Sequence, residues 1–281
     1  MNTSDRRITD DIIRRALAED IGRGDVTSMA IQADLEAEAD IISKEQGILA
    51  GIAVAERVFR TADPALKIRC LKQDGDPLSA GEPVLRVSGK GRSVLRAERT
   101  ALNLLGRMCG IASLAKRYTE EVKETKCRIF DTRKTMPNLR ILDKYAVRCG
   151  GAENHRFGLY DMILIKENHI RWTGGLENAL RTAVPYAEKH SLKVEVEVTD
   201  PGEYERALAF PVDVIMLDHF SLRDLREAVE ADHGSVLLEA SGNVDLRSVR
   251  TIAETGVDII SVGALTHSVK THDLSLLFHV S

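Results

Sequence analysis

The chain has 281 residues, 43% hydrophobic and 29% charged, with a formal net charge of −4, so it has room for one large or two modest domains with a buried core. Aromatic residues make up only 4% and are not interleaved with the basic ones, which disfavours a nucleic-acid surface. The longest uncharged apolar run, 47–55, falls well below the roughly 18 residues of a membrane span.

In chain order, residues 9–20 place Ile12, Ile13, Ala16 and Leu17 on one face behind a Thr/Asp cap, predicting an amphipathic helix that ends where Gly22 and Gly24 break it. Asp25 and Thr27 then suit a cap or turn. From Glu36 to Gly91 the signals are β: AEADIISK, GILAG, LKIRCLK and PVLRVSGK, separated by turn clusters and interrupted by a short helix at 52–60. A hammerhead carrier module has similar spacing, with a modified lysine at a hairpin tip. Lys90 is the one candidate, and a solvated turn lysine is the expected reading. Residues 93–122 read as a long helix in which Gly106 and Gly110 mark either a break or a close packing contact. Arg99 on that helix is, on its own, more often a surface ion pair than a ligand contact.

Beyond residue 125, six apolar runs alternate with helical stretches: CRIFD, DMILIK, KVEVEV, DVIMLD, SVLLEA and DIISVG. Glu197, Asp218, Ser241 and Gly263 follow one another at intervals of 21, 23 and 22 residues, the length of one strand, one helix and their loops. Successive βα units imply parallel strands and an incomplete, six- or seven-stranded α/β barrel, with an open doubly wound sheet as the fallback. The four cysteines, Cys70, Cys109, Cys127 and Cys149, have neither C-x-x-C nor C/H pairing, so no zinc site or disulfide framework is expected. With an N-terminus that lacks an apolar leader core, the expected location is the cytoplasm.

The chemistry gathers at the strand ends. Residues 128–156 carry seven cationic and three acidic side chains, a local excess of +4 in an acidic chain, which suits a small, highly anionic ligand. Asp131, Arg133 and Lys134 follow the first strand; Lys166, Asn168 and His169 follow the second. Glu195 and Glu197 point to one side of the third, and two buried carboxylates there need partners: a neighbouring lysine, a ligand hydroxyl or a metal. Asp218 ends the fourth. The small-residue turns Ser241-Gly242-Asn243 and Gly263-Ala264 suit a phosphate cradle. The cationic set Arg133, Lys134, His155, Arg156 and Lys166 suits a polycarboxylate, and the acidic half with its turns suits a sugar phosphate. No G-x-x-x-x-G-K or G-x-G-x-x-G occurs, which disfavours Walker-type and Rossmann nucleotide binding.

ERTALNLLGRMCGIAS, DTRKTMPNLR, KYAVRCGGAENHRFGLYDMILIKENHI, VEVEV, IMLDHF, LEASGNV and GVDIISVGALTHS, with EDIGRGDVTS near the N-terminus, resemble the quinolinate phosphoribosyltransferase family. The resemblance implies an N-terminal α/β sandwich (1–110, joined by the tail 271–281) and an incomplete α/β barrel (111–270). It implies phosphoribosyl transfer from phosphoribosyl pyrophosphate to quinolinate, with decarboxylation to nicotinate mononucleotide. It also implies Mg²⁺ and a homodimer in which Arg99 crosses to the neighbouring site. By motif, Arg99, Arg133, Lys134, His155, Arg156 and Lys166 contact substrate. Glu197 and Asp218 face the ribose hydroxyls and, indirectly, Mg²⁺, while Ser241, Gly242, Asn243 and Gly263 hold phosphate. Lys134, Glu197 and Asp218 form the implied catalytic set. Two positions depart from the family pattern, Asn138 and Ala152 standing where glycines are usual, and modest effects are expected because Asn tolerates positive φ. The alternatives are a ModD-like, molybdenum-transport-associated homologue and a non-catalytic binder of anionic metabolites.

Overall fold

The computed structural model describes residues 3–31 and 35–279, so the outermost positions of the expected sandwich and its tail lie outside the described residues. Two compact units emerge: residues 1–116, 135–151 and 265–281, and residues 117–134 with 152–264.

The first unit opens with α1 (Thr3–Ile21) and α2 (Val26–Ile31). Ile13 and Leu17 of α1 are buried, as the apolar stripe predicts, but the helix begins before Thr9. Thr9 is not a cap: its buried hydroxyl donates to the Asp5 carbonyl one turn back (2.8 Å). Asp25 does cap α2, accepting from the backbone N–H of Thr27 and of Ser28 at 3.1 Å each. There follow β1 (Glu36–Ser43), β2 (Gly47–Ile48), α3 (Ile52–Ala62), β3 (Lys67–Cys70), β4 (Pro77–Leu78) and β5 (Pro83–Lys90). Next comes α4 (Gly91–Val122), which begins directly after Lys90, so Lys90 occupies no hairpin tip. Gly106 and Gly110 do not interrupt α4. They admit the chain near the C-terminus, since a Cβ on them would lie 2.8 Å from the His272 carbonyl oxygen and 2.2 Å from that of Lys270.

The remaining elements are β6 (Arg128–Phe130), α5 (Arg140–Cys149), β7 (Ile163–Ile165), α6 (Glu167–Thr173), α7 (Leu176–His190), β8 (Val194–Val198), α8 (Pro201–Leu208), β9 (Val214–Asp218), α9 (Leu222–Glu230), β10 (Leu237–Ser241), α10 (Val249–Ala253), β11 (Ile259–Ser261), α11 (Ala264–His267) and β12 (Leu274–Phe278). Of these, α5, β12 and all of α11 but Ala264 belong to the first unit, whereas the last residues of α4, from Arg117 on, belong to the second. Its main sheet is antiparallel in the order β12-β1-β5-β3, with the tail strand β12 registered against β1 from Ala39↔Phe278 to Ser43↔Leu274. Asp40 and Arg86 are direct cross-strand neighbours and form a bidentate ion pair at 2.8 and 2.9 Å. On α5, Asp143 is fully buried and takes both arms of Arg107 at 2.8 and 2.7 Å.

The second unit holds a six-stranded parallel sheet in the order β6-β11-β10-β9-β8-β7. Its strands are short, mostly buried and apolar, as strands covered on both faces must be. The sheet is an incomplete barrel: β6 and β7 are its edges, and Glu153 makes a lone parallel bridge to Phe130 on the outer side of β6. The consequence for function is that every strand delivers its last residues to the same end of the sheet.

Candidate active site

A cavity of about 330 Å³ opens at the carboxyl ends of these strands, bordered by Thr132, Arg133 and Lys134 after β6 and by Lys166 after β7. His155 and Arg156 enter from the intervening loop, and Met216, Ser241 and Ser261 from β9, β10 and β11. A cavity of similar size in the first unit includes Arg6, Arg57, Arg60 and Tyr145, and three of these already have partners. Arg57 binds Asp10 (2.7 Å), Arg60 binds Glu56 (2.8 Å) and Tyr145 donates to Asp74 (2.7 Å).

Asp131 does not border the cavity. It is fully buried and folds the next loop onto the strand end, accepting from Asn154 Nδ2 and from the His155 backbone N–H, both at 2.8 Å. This delivers His155 and Arg156 to the cavity beside Arg133. Arg156 Nη1 donates to the Met162 carbonyl (3.2 Å), while its Nε is buried with no hydrogen-bond partner among the described residues. Burial, and then the neighbouring charge of Arg133, hold the Arg156 guanidinium below its usual basicity. A buried cation with an unused N–H and a like charge beside it is relieved by an anion.

Glu195 and Glu197 do share a side of β8, and each finds a partner. Glu197 forms an ion pair with Lys166 from the neighbouring strand end. Glu195, 1% exposed, accepts from His155 Nε2 at 2.9 Å. The tautomer follows from the other ring nitrogen: His155 Nδ1 accepts the backbone N–H of Arg156 (2.8 Å), so the proton sits on Nε2. His155 therefore lines the cavity as a neutral ring with both nitrogens engaged by the protein. The ligand atoms of His155, Glu195 and Glu239 lie within 4.8 Å of one another, but an ion on Nε2 would require a proton on Nδ1, facing that N–H; the trio suits a shared proton instead.

The small-residue turns expected after β10 and β11 both occur. Ser241 stands opposite Asp218 in the β9–β10 register, and the Ser241 carbonyl accepts from the His219 backbone N–H (3.0 Å). Gly242 (φ 104°) must be glycine, because a Cβ there would lie 2.6 Å from the His219 ring, and Asn243 follows at φ 49°. Gly263 directly precedes α11. Asn138 adopts φ 64°, the conformation its glycine-like position requires, and Ala152 fits as a buried residue.

Other sequence candidates are engaged locally or exposed. His169 turns back to accept from the Lys166 backbone N–H (3.0 Å) at the start of α6, and Asn168 is exposed on that helix. Arg99 is exposed on α4 in the first unit. Of the cation-rich stretch, Arg128 lies over the Phe130 ring (5.4 Å) and pairs with Glu153, while Arg140, Lys144 and Arg148 lie on α5. Glu239 and Ser261 were not anticipated; a single glutamate inside the buried run SVLLEA was the available cue, since it must be partnered.

Fold and site together define a two-domain α/β-barrel protein built to hold a small, multiply anionic ligand where its parallel strands end. Comparison with known proteins narrows this. The family model described as quinolinate phosphoribosyl transferase, N-terminal domain, matches residues 25–109, and that of the C-terminal domain matches residues 111–277. A chloroplastic nicotinate-nucleotide pyrophosphorylase [carboxylating] from Arabidopsis thaliana is 43% identical over 94% of this chain and 81% of its own length. A probable enzyme of the same name from Bacillus subtilis is 40% identical over 94% and 91%. The structure of the nicotinate-nucleotide pyrophosphorylase from Francisella tularensis superposes with a TM-score of 0.93 at 42% identity, covering 97% of this chain and 96% of that one. The chain belongs to the quinolinate phosphoribosyltransferase family.

Proposed function

We propose that this chain transfers the phosphoribosyl group of phosphoribosyl pyrophosphate to quinolinate and decarboxylates the adduct, giving nicotinate mononucleotide, pyrophosphate and CO₂ for NAD biosynthesis. The observation that carries this reading is the convergence of Arg133, Lys134, Arg156 and Lys166 on one cavity whose other wall carries Ser241. Two carboxylates on adjacent ring carbons need such a set of fixed cations. Arg133 and Arg156 clamp the dicarboxylate, Lys166 joins them, and the His155 ring gives the pyridine an apolar contact.

The ring nitrogen attacks C1 of the sugar as pyrophosphate leaves, through a transition state with oxocarbenium character. Glu197 and Asp218, at the ends of adjacent strands, lie toward the ribose hydroxyls and favour the positive charge developing at C1. The two carboxylates are also oxygen donors of the kind Mg²⁺ takes alongside substrate phosphates. Glu197 and Asp218 would hold Mg²⁺, and the ion would supply charge neutralisation for a leaving pyrophosphate. The turns at Ser241-Gly242-Asn243 and Gly263 direct backbone N–H groups at the 5′-phosphate, and Lys134 bridges the two substrates. A homodimer, with Arg99 of each copy completing the other's site, agrees with the exposure of Arg99. Among the described residues no helix is long and apolar enough to cross a membrane; four free thiols suit a reducing compartment such as the cytoplasm. The test is to mix the protein with quinolinate, phosphoribosyl pyrophosphate and Mg²⁺: pyrophosphate release dependent on quinolinate supports the reading, and none overturns it.

A further inference from the structure

Beneath the cations, the cavity rests on a buried acidic layer for which the binding of substrates has no direct use. Glu239 is 1% exposed, and its Oε1 lies 2.5 Å from the hydroxyl of Ser261. Its Oε2 lies 3.7 Å from His155 Nε2, whose proton is already directed at Glu195. Glu195 is equally buried, and its Oε1 has no hydrogen-bond partner among the described residues. Two carboxylates therefore share one neutral imidazole in a water-poor layer, and both cannot be ionised there. Burial first, and then the charge of Glu195, push the Glu239 carboxyl up to about 8, so it holds a proton at neutral pH. Ser261 is the side chain that joins this acid to the cavity, because it both borders the cavity and touches Glu239.

We propose that Ser261 and Glu239 form a proton relay that supplies the hydrogen replacing the lost carboxylate at C2 of the pyridinium ring. This rests on the reaction proposed above and concerns its second half. When the C2–carboxylate bond breaks, CO₂ leaves and the bonding electron pair stays on C2, next to the positive ring nitrogen. The pair takes the proton of the Ser261 hydroxyl, forming the C2–H bond, while the Ser261 oxygen takes the proton of the Glu239 carboxyl. Glu239 is left as a carboxylate and is reprotonated from solvent through Ser261 once the product has gone. The neighbouring cations suit this step less well: a guanidinium is not a proton donor to carbon at neutral pH, Lys166 is held by Glu197, and Lys134 is the bridge between the two substrates. In this account Ser261 is the catalytic group, and Glu239 is a positioning and reloading group acting through it. The layer also explains why a glutamate interrupts an otherwise apolar parallel strand.

The experiment uses the full chain and the Ser261→Ala and Glu239→Gln variants, supplied with quinolinate, phosphoribosyl pyrophosphate and Mg²⁺ in equal parts of H₂O and D₂O. Pyrophosphate, nicotinate mononucleotide, and the ratio of hydrogen to deuterium at C2 of the product are followed separately. The relay predicts that in both variants pyrophosphate appears ahead of nicotinate mononucleotide, the dicarboxylate nucleotide accumulates and product formation slows by about a hundredfold. The isotope ratio at C2 shifts as well, because water takes the place of Ser261 as donor in one variant and of Glu239 as the source that reloads Ser261 in the other. Variants that make product in step with pyrophosphate and with the unchanged isotope ratio overturn the relay. So does an equal slowing of both products with that ratio unchanged, which describes a purely structural role. Should Glu239→Gln not fold, Ser261→Ala decides alone. Absence of pyrophosphate with the unsubstituted chain counts against the reaction itself, and so is told apart from failure of the relay.

Discussion

Arg156 offers the sharpest perturbation of the cavity. Its Nη1 is committed to the Met162 carbonyl, leaving Nε, buried and without a hydrogen-bond partner among the described residues, and Nη2 for a ligand carboxylate. Each charge-assisted hydrogen bond contributes about 1.5–3 kcal/mol, so Arg156→Ala removes about 3–6 kcal/mol of quinolinate binding. At about 1.4 kcal/mol per tenfold, kcat/KM for quinolinate falls by about 10² to 10⁴. Arg156→Lys keeps the charge but loses the planar fork, so it recovers only part of the loss. Stability moves the other way. The guanidinium is disfavoured by burial and by Arg133, so the alanine variant melts no lower than the parent despite losing one hydrogen bond. Initial rates at varied quinolinate with saturating phosphoribosyl pyrophosphate, beside a thermal melt, check both halves. An alanine variant with an unchanged kcat/KM, or one that loses activity only because it unfolds, refutes the reasoning.

Three further outcomes follow from other contacts. Alanine is ordinarily favoured over glycine inside a helix by about 1 kcal/mol, but Gly110→Ala places a Cβ 2.2 Å from the Lys270 carbonyl oxygen. It is expected to cost about 1–3 kcal/mol, read as a lower melting temperature. Glu239 has its proton affinity raised by folding, from an ordinary 4.5 to about 8, so its contribution to stability is fully present below the lower value and is lost as pH rises through the upper one. Glu239→Gln, which cannot ionise, should therefore gain on the parent in melting temperature across that window; a pH-independent difference refutes the buried-acid reading. Burial pushes the thiols of Cys109 and Cys127 up to about 12, whereas Cys70 is exposed. Alkylation of the native protein followed by peptide mapping should label Cys70 first and reach Cys109 and Cys127 only after unfolding.

The parallel sheet was legible because each buried strand announces itself twice, as an apolar run and as a polar residue that ends it. Arg133, Lys166 and Ser241, which border the cavity, follow that rule, and Asp218 ends its own strand in the same way. Pairing between β1 and β12 was not legible from pattern, since two strands more than two hundred residues apart leave no local trace of each other; only the family resemblance pointed to the tail. Charge counted along the chain overstated the cationic wall. Arg140 and Arg148 lie on α5 and are not among the residues that border the cavity, and Arg128 lies over the Phe130 ring, because density in sequence says nothing about which side of an element a residue occupies. The sequence places His155 in the cationic set, yet a backbone N–H fixes its tautomer, and no spacing rule reports such a contact. Asp131 was visible but its task was not, because the side-chain amide and the backbone N–H it satisfies lie more than twenty residues further on.

The central claim is that the converging cations select a ligand with two adjacent carboxylates. The most direct measurement compares quinolinate with nicotinate, which lacks the 2-carboxylate, as acceptors for phosphoribosyl pyrophosphate with purified protein and Mg²⁺, following nicotinate mononucleotide from each. The account predicts product from quinolinate and essentially none from nicotinate. Equal turnover of the two would contradict it, since the second carboxylate would then contribute nothing to recognition.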